Sequence, residues 1–549
     1  MSQYDPIALG IQWDRLISIA DEIVNALVRT SFSTNVRESY DLSCVVFDRR
    51  GRSIAQGTYS VPSFTGTAGA TLAYMLQRFA PETLAPGDVV VTNDPWGGTG
   101  HLFDINVMQP VFRGGELSGY IMSITHLPDI GGAGFSATAR EVYEEGLRLP
   151  VCKLVRGGEV DAFILELIRS NVRVAEETIG DLMANVSCTT VGARMLTEFM
   201  DEYRLDDLTY LADAILSFSE RAIRDELAKV TAGIHRNEIQ FEGHDRALTL
   251  ACAVHINDGE ALVDFTGSSA AVHAAINVPL CYTRAMTCYA IKVLTTPKIP
   301  NNQGSVAPIR LAAPENCILN PLPPYPTGGR HVVGHFVVPL IFGALAEVLP
   351  DRVQGDAGML NLINVQGRTR EGRGVSSIFF ASGGFGALAG LDGAAATPGP
   401  SNMTGTPIEV WEGLTGMTVE RKALLPDSGG AGRFRGGLGQ TITLRNDSGH
   451  PLTVSCLAGR TEFPPLGILG GKPGRSREIR INGKVVHPKG RYVLAPGDIV
   501  ETTEAGGGGY GDPALRDPAA VQADLRSGAV TAAGARQDYQ YDPDRGLKS

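Results

Sequence analysis

Two apolar runs, Ile105 to Phe112 and Ser118 to Thr125, are separated by the turn Arg113-Gly-Gly-Glu116. Runs of this length joined by a glycine-bearing turn read as two antiparallel strands. The pairing constrains what can stand at its open end. His101 and Asp104 lie just before the first strand, and His126 lies at the end of the second. Opposed side chains of antiparallel neighbours are roughly 5 Å apart, so these residues can share one site. Upstream, Leu42-Ser-Cys-Val-Val-Phe47 reads as a buried strand turning at Asp48-Arg-Arg-Gly51, with Asp41 at its start.

Around this unit the patterning is mixed. Trp13 to Val28 has helical periodicity, with apolar residues at 13, 16, 17, 20, 23, 24, 27 and 28. Pro86-Gly-Asp-Val-Val-Val-Thr92 is a turn feeding a strand. From about Ala162 to Gly233 the chain reads as helical. Its runs Leu182 to Tyr203 and Leu208 to Val230 are linked by Arg204-Leu-Asp206, the pattern of an antiparallel helical hairpin. Leu248 to Ile256 and Ala261 to Phe265 flank the turn Asn257-Asp-Gly259. A helix is expected from Cys281 to Leu294, and another, strongly apolar, near 332–349. Gly383 to Pro407 reads as a long loop or boundary. Strands then dominate: Gln440 to Leu444, Leu452 to Ala458, Glu478 to Val486, and one after Pro496-Gly-Asp498. The predicted class is α+β, a multi-domain mixed α/β chain. Its expected parts are an N-terminal α+β metal-binding region (1–160), a helical hairpin region (161–235), a mixed α/β region (236–400), a β-rich C-terminal region (401–515), and a C-terminal helix and tail (516–549).

A length of 549 residues leaves ample core for several packed units. The formal net charge is −11, and no segment interleaves basic and aromatic residues as a phosphate-backbone groove would. Nucleic acid is not an expected partner. The eight cysteines contain no Cys-x-x-Cys pair, which argues against a zinc knuckle, an iron–sulfur cluster or a disulfide frame. The N-terminus lacks a basic and apolar leader, and the apolar stretch His331 to Leu349 is broken by His335 and Glu347. A soluble, cytoplasmic chain without a membrane span is expected.

Two imidazoles and one or two carboxylates suit Zn²⁺, Mn²⁺ or Fe²⁺, with water completing the shell. Asp94 and Asp129 are candidates to orient the histidines. The alternative is that these residues satisfy turn backbone, as Asn and Asp commonly do. His331 and His335, four apart on an apolar helix without an acidic partner, read better as core or interface histidines. Asn93-Asp-Pro-Trp-Gly-Gly-Thr99 is glycine-rich but lacks the Gly-Lys-Ser/Thr of a phosphate loop, and no Gly-x-Gly-x-x-Gly opens a βαβ unit. No Gly-x-Ser-x-Gly elbow is present either.

Several motifs together resemble the hydantoinase B family. They are Asn93-Asp-Pro-x-Gly-Gly-Thr-x-His-x-x-Asp104, His126-x-x-Asp-Ile-Gly-Gly132, Ser136-Ala-x-x-Arg-Glu141, Asp427-Ser-Gly-Gly-Ala-Gly-Arg-Phe-Arg-Gly-Gly-Leu-Gly439 and Gly506-Gly-Gly-Gly-Tyr-Gly-Asp-Pro513. That family includes B subunits of ATP-dependent N-methylhydantoinase and lactamases, the C-terminal part of 5-oxoprolinase, and alpha subunits of acetone carboxylase. The resemblance implies a metal held by Asp41, His101, Asp104 and His126. By position alone, Asp129 or Glu141 is available as a proton acceptor. The resemblance also implies a hydantoinase A-type ATPase partner that binds ATP and activates a carbonyl by phosphorylation, within a hetero-oligomer. Hydrolysis of a small cyclic amide is the expected activity. A ketone carboxylase alpha subunit and a non-catalytic scaffold for an ATPase are the alternatives. Two local differences stand out: Val61-Pro-Ser-Phe-Thr-Gly66 where many relatives carry Ile-Pro-Val-His-Leu-Gly, and an extra Gly100 before His101.

Overall fold

The computed structural model describes residues 4–543 and the backbone of 546–547, so the end of the expected C-terminal tail lies outside the described residues. Helix α1 (Pro6–Thr30) starts at Asp5, whose carboxylate accepts from the backbone N–H groups of Ile7 and Ala8. Its buried residues Trp13, Leu16, Ile19, Ala20, Ile23, Val24 and Leu27 follow a three-and-four spacing that presses one stripe onto the N-terminal sheet. A single turn, α2 (Thr34–Arg37), then leads into that sheet.

The sheet is built from β1 (Leu42–Asp48), β2 (Ser53–Gln56), β3 (Val89–Thr92), β4 (Asp104–Arg113), β5 (Glu116–His126), β6 (Cys152–Arg156) and β7 (Glu159–Val160). Their order is β2-β1-β5-β4-β3-β6-β7, antiparallel throughout. The expected strand pair is therefore its centre, β4 and β5, joined by Gly114-Gly115 at positive φ. β1 lies on the outer side of β5, with Leu42 opposite Thr125. Helix α3 (Ala68–Arg78) packs Leu72 and Met75 into a core with Val45, Val90 and Met122.

Three helices follow: α4 (Ala162–Asn171), α5 (Ala175–Glu202) and α6 (Thr209–Leu227). The expected helical hairpin does not form. α5 lies along α1 and across β4 and β5, while α6 turns towards α7 (Leu280–Thr295). The reason is where α5 carries its apolar face. Cys188, Leu196 and Phe199 meet Ile23 and Ile121 in one core, and the bare Cα of Gly192 allows this approach, since a Cβ there would come within 2.5 Å of Ile23.

A second sheet, β8 (Gly233–Glu242), β9 (Ala247–Asn257), β10 (Glu260–Asp264) and β11 (Ile309–Ala312), contains the expected Asp258-Gly259 turn, both residues at positive φ. The apolar segment near 332–349 is two helices rather than one, α8 (His331–Gly334) and α9 (Val337–Leu345). One large core draws in Val91, Leu227, Phe241, Ile291, Leu340, Leu362 and Leu457, and so continues across residues 160, 235 and 400.

The C-terminal half is a sandwich. Its strands are β12 (Leu360–Arg368), β13 (Gly374–Ser382), β14 (Met417–Leu424), β15 (Gln440–Asn446), β16 (Leu452–Leu457), β17 (Glu478–Ile481), β18 (Lys484–Val485), β19 (Arg491–Leu494) and β20 (Ile499–Thr503). One sheet runs β13-β12-β16-β19 and the other β14-β15-β20-β17-β18. Ile363, Val454 and Leu494 meet Ile442, Ile479 and Val500 between them. At its edge the glycine-rich segments form a layer of backbone against backbone. Gly430 donates to Gly507, Gly507 to Gly437, and Gly508 to Asp356. A Cβ on Gly507 would lie 2.1 Å from the Phe385 carbonyl oxygen, and one on Gly436 would lie 1.9 Å from that of Gly507. Space dictates glycine here, so two of the most extended motifs in the sequence are packing devices. Among the described residues no helix is long and apolar enough to cross a membrane.

Candidate metal centre

Asp104 is the first residue of β4 and His126 the last of β5, and the two are registered partners. Continuing the register of β1 sets Asp41 beside His126, whose backbone N–H donates to the Asp41 carbonyl at 3.2 Å. Three sequence-predicted residues thus meet at one end of three neighbouring strands. His101 joins them from the loop before β4, its Nε2 2.8 Å from Asp104 Oδ1. All four line a single cavity with Tyr282, Arg330, His331 and His335.

Asp104 is 1% exposed and fully engaged. Its Oδ2 accepts from Arg330 Nη2 at 2.6 Å and from Thr99 Oγ1 at 2.8 Å. Burial alone would raise its pKa, but the Arg330 guanidinium and His101 outweigh it and hold the carboxyl well below the usual range. Asp41 moves the other way. Burial and the neighbouring Asp104 charge push it up to about 8, against Arg330. Arg330 also donates from Nε to the Thr99 carbonyl and lies over the Tyr282 ring, 4.4 Å from its centroid. Gly100, the extra residue of this loop, is at φ 109°, and a Cβ there would meet Arg330 at 2.6 Å.

The imidazoles are held neutral. Burial and Arg330 lower His101, with Asp104 opposing. Burial and His101 bring His126 down to about 3. His101 Nδ1 lies 3.0 Å from the Gly328 carbonyl, which can only accept, so Nδ1 carries the proton. A neutral His101 then turns the lone pair of Nε2 towards Asp104 Oδ1. Two acceptors face each other at hydrogen-bond distance, an arrangement that an electropositive centre between them stabilises. His126 Nδ1 is 3.2 Å from Asn35 Nδ2, and its Nε2 is buried without a partner. As placed, no three His, Cys, Asp or Glu side chains among the described residues form a ready cage for a cation. The donors line a shared cavity, and their types and the unpartnered His126 Nε2 fit a divalent ion.

Behind them stands Glu145, buried, its Oε1 accepting the backbone N–H groups of Thr327 at 2.7 Å and Gly328 at 2.6 Å. It fixes the loop that offers the Gly328 carbonyl to His101 and Arg330 to Asp104. Burial raises its pKa to about 8.

Asp129 and Glu141 are not brought to the cavity. Asp129 is buried, with Arg173 and the Gly131 N–H on its carboxylate; Glu141 is exposed on the surface. Asp94 does not reach the histidines either: it accepts from Trp96 and Gly97 N–H and pairs with Arg148. His331 and His335, expected in the core or at an interface, are buried but line the cavity. Sequence reasoning missed Arg330, Tyr282, Ser63 and the wall of Leu360, Leu362, Ile378 and Phe380. A lone arginine after Thr327-Gly-Gly329, opening an otherwise apolar helix, was the available signal for the first.

Comparison with known proteins identifies the family and the fold. The chain is 30% identical to caprolactamase subunit beta of Pseudomonas jessenii, over 98% of this chain and 96% of the relative. The crystal structure of ATP-dependent caprolactamase from the same organism superposes with a TM-score of 0.90 at 26% identity, covering 99% of this chain and 97% of that one. A nucleotide-free acetone carboxylase chain shares the fold, with a TM-score of 0.88 at 19% identity over 97% of this chain and 79% of that one. The chain spans about two-fifths of the length of the 5-oxoprolinases it matches. Residues 5–513 match the profile of one family, and the chain belongs to it: Hydantoinase B/oxoprolinase.

Proposed function

We propose that this chain is the B-type subunit of an ATP-dependent cyclic-amide hydrolase whose site holds a divalent cation, Zn²⁺, Mn²⁺ or Fe²⁺, on Asp41, His101, Asp104 and His126. The observation that carries the reading is the pair of acceptors His101 Nε2 and Asp104 Oδ1, turned to each other in a cavity shared with the unpartnered His126 Nε2. When bound, such a cation polarises a carbonyl and lowers the pKa of water it holds.

The chain's own residues have distinct tasks. Glu145 and the Gly328 carbonyl fix the His101 tautomer. Arg330 keeps Asp104 ionised, and Asn35 sets the His126 ring. Phe103 and Phe135, each within 5.1 Å of the His126 ring centroid, exclude water around it. Amide resonance makes a lactam carbonyl a poor electrophile. The sequence offers no phosphate loop, so activation by ATP falls to an A-type partner subunit; the description of the caprolactamase relative as a subunit supports that division.

The test is co-purification with the ATPase partner, followed by metal analysis and ATP-dependent turnover of lactams and hydantoins. We expect a stoichiometric divalent cation, lost together with activity in His101→Ala and His126→Ala. Full activity of a metal-free complex, or a requirement for bicarbonate, sinks the reading.

A further inference from the structure

The cavity shared by Asp41, His101, Asp104 and His126 measures about 40 Å³. One water needs about 10–15 Å³ of such space, so the cavity holds roughly three. A cyclic amide and its attacking water displace more than that, and a wall has to move before a ring can enter. Most of the walls are fixed. Leu360, Leu362, Ile378 and Phe380 stand on the paired strands β12 and β13. Asp104 and His126 close the centre of the N-terminal sheet, Tyr282 is buried on α7, and His101 and Arg330 are tied by buried hydrogen bonds.

Residues 401–407 differ. They belong to no helix or strand, yet they contribute Ser401 and the partly exposed Met403 to the lining. Upstream the strap is anchored where the backbone is tightly packed, since a Cβ on Gly399 would meet the Phe385 ring at 2.4 Å. Downstream it enters the helix Ile408–Thr415. Between these ends it is pinned to the residues just before Asp41. Thr404 donates its backbone N–H to the Ser39 carbonyl at 3.3 Å and its hydroxyl to the Glu38 carbonyl, and Thr406 Oγ1 lies 3.4 Å from Ser39 Oγ. Asn402, Thr404 and Gly405 are exposed, Asn402 is at φ 57°, and nothing lies within 4 Å of an added Cβ on Gly405. Few pins, all near solvent, mark a segment that opens without unfolding the rest.

From this we infer that residues 401–407 are a gate, which lifts off Glu38 and Ser39 to admit substrate and closes with Met403 over it. Closure shuts bulk water out of the site. That the guest is a cyclic amide rests on the reading above; the gate itself rests on the size of the cavity and the placement of the pins.

Access is read first without substrate or cation. Leu362→Cys, or Ile378→Cys if the first does not fold, places a thiol on the cavity wall of the full chain, and its alkylation by iodoacetamide is followed by peptide mass spectrometry. Adding Thr404→Ala and Thr406→Ala, which removes two pins, is expected to speed labelling at least about threefold. An unchanged rate overturns the gate. Turnover is read in the complex with the ATPase partner and ATP. Ser39→Cys with Thr406→Cys is expected to work like wild type when reduced. With the cross-link confirmed by mass spectrometry, it is expected to lose lactam turnover at least about tenfold and to regain it with dithiothreitol, while wild type taken through the same cycle does not change. Full turnover by the cross-linked protein overturns the inference and leaves the hydrolase reading intact. Failure of the wild-type complex to open any lactam or hydantoin removes that reading, and the labelling rate still decides the gate.

Discussion

Asp104 and His126 face each other across β4 and β5 at the last registered pair before the strands part. Asp41, at the head of the next strand, lies in the same row. A cation that binds this row stabilises the native state by an amount set by its concentration over its Kd, about 2.7 kcal/mol at a hundredfold excess. Thermal unfolding of chelator-treated protein is therefore expected to shift upward on adding Zn²⁺, Mn²⁺ or Fe²⁺, and the shift is expected to vanish in His126→Ala. Equal shifts in both proteins would place the cation elsewhere.

Arg330 leaves Asp104 buried and charged if it is removed. Loss of one partner of a buried ion pair costs about 3–5 kcal/mol. Arg330→Met in chelator-treated protein is expected to lower the unfolding midpoint by several degrees, and the double variant Arg330→Met, Asp104→Asn to recover part of it. A single variant as stable as wild type would show that Thr99 alone satisfies the carboxylate.

Glu145 gives the clearest pH dependence. Its folded pKa is about 8 against 4.5 for the free group, so the native state binds its proton more tightly than the unfolded chain does. That contribution is complete below about pH 4.5 and is lost as pH rises through 8. Glu145→Gln keeps an acceptor for Thr327 and Gly328 without the titration. Its stability relative to wild type is expected to improve between pH 5 and 8.5, read as midpoint against pH. A difference that is flat across that window would mean Glu145 is ionised throughout. Glu145→Ala, which strands two buried N–H donors, is expected to cost about 1–3 kcal/mol or more at any pH.

Two glycines distinguish crowding from mere abundance. Gly507→Ala places a methyl 2.1 Å from the Phe385 carbonyl oxygen, and soluble expression is expected to collapse. Gly413 lies exposed in the helix Ile408–Thr415 with nothing within 4 Å of an added Cβ. Gly413→Ala is expected to be neutral or to stabilise by up to about 1 kcal/mol. A well-folded Gly507→Ala protein would refute the packed-backbone account of the 506–509 run.

The row of Asp41, Asp104 and His126 was legible because it depends on short-range rules. Period-two patterning fixed β4 and β5, the four-residue turn fixed their pairing, and antiparallel register then put Asp104 against His126. The flanking strand with Asp41 was equally readable from Leu42 to Phe47. The helical hairpin was not, because periodicity tells which stripe of α5 is buried but not what buries it; Gly192 against Ile23 answers that only in three dimensions.

What the sequence by itself determined was local: amphipathic stripes, strand pairing, glycine where no side chain fits, and the chemical types gathered at one sheet end. Tertiary structure alone decided the rest of the cavity. Arg330 comes from 226 residues beyond Asp104, and Leu362 and Phe380 come from a hairpin whose two faces serve two different cores. It also decided against Asp129, which sequence position favours as a proton acceptor but which packing turns onto Arg173. The physical reason is that a side chain's neighbours across a core are set by how whole elements pack, and no spacing along the chain encodes that distance.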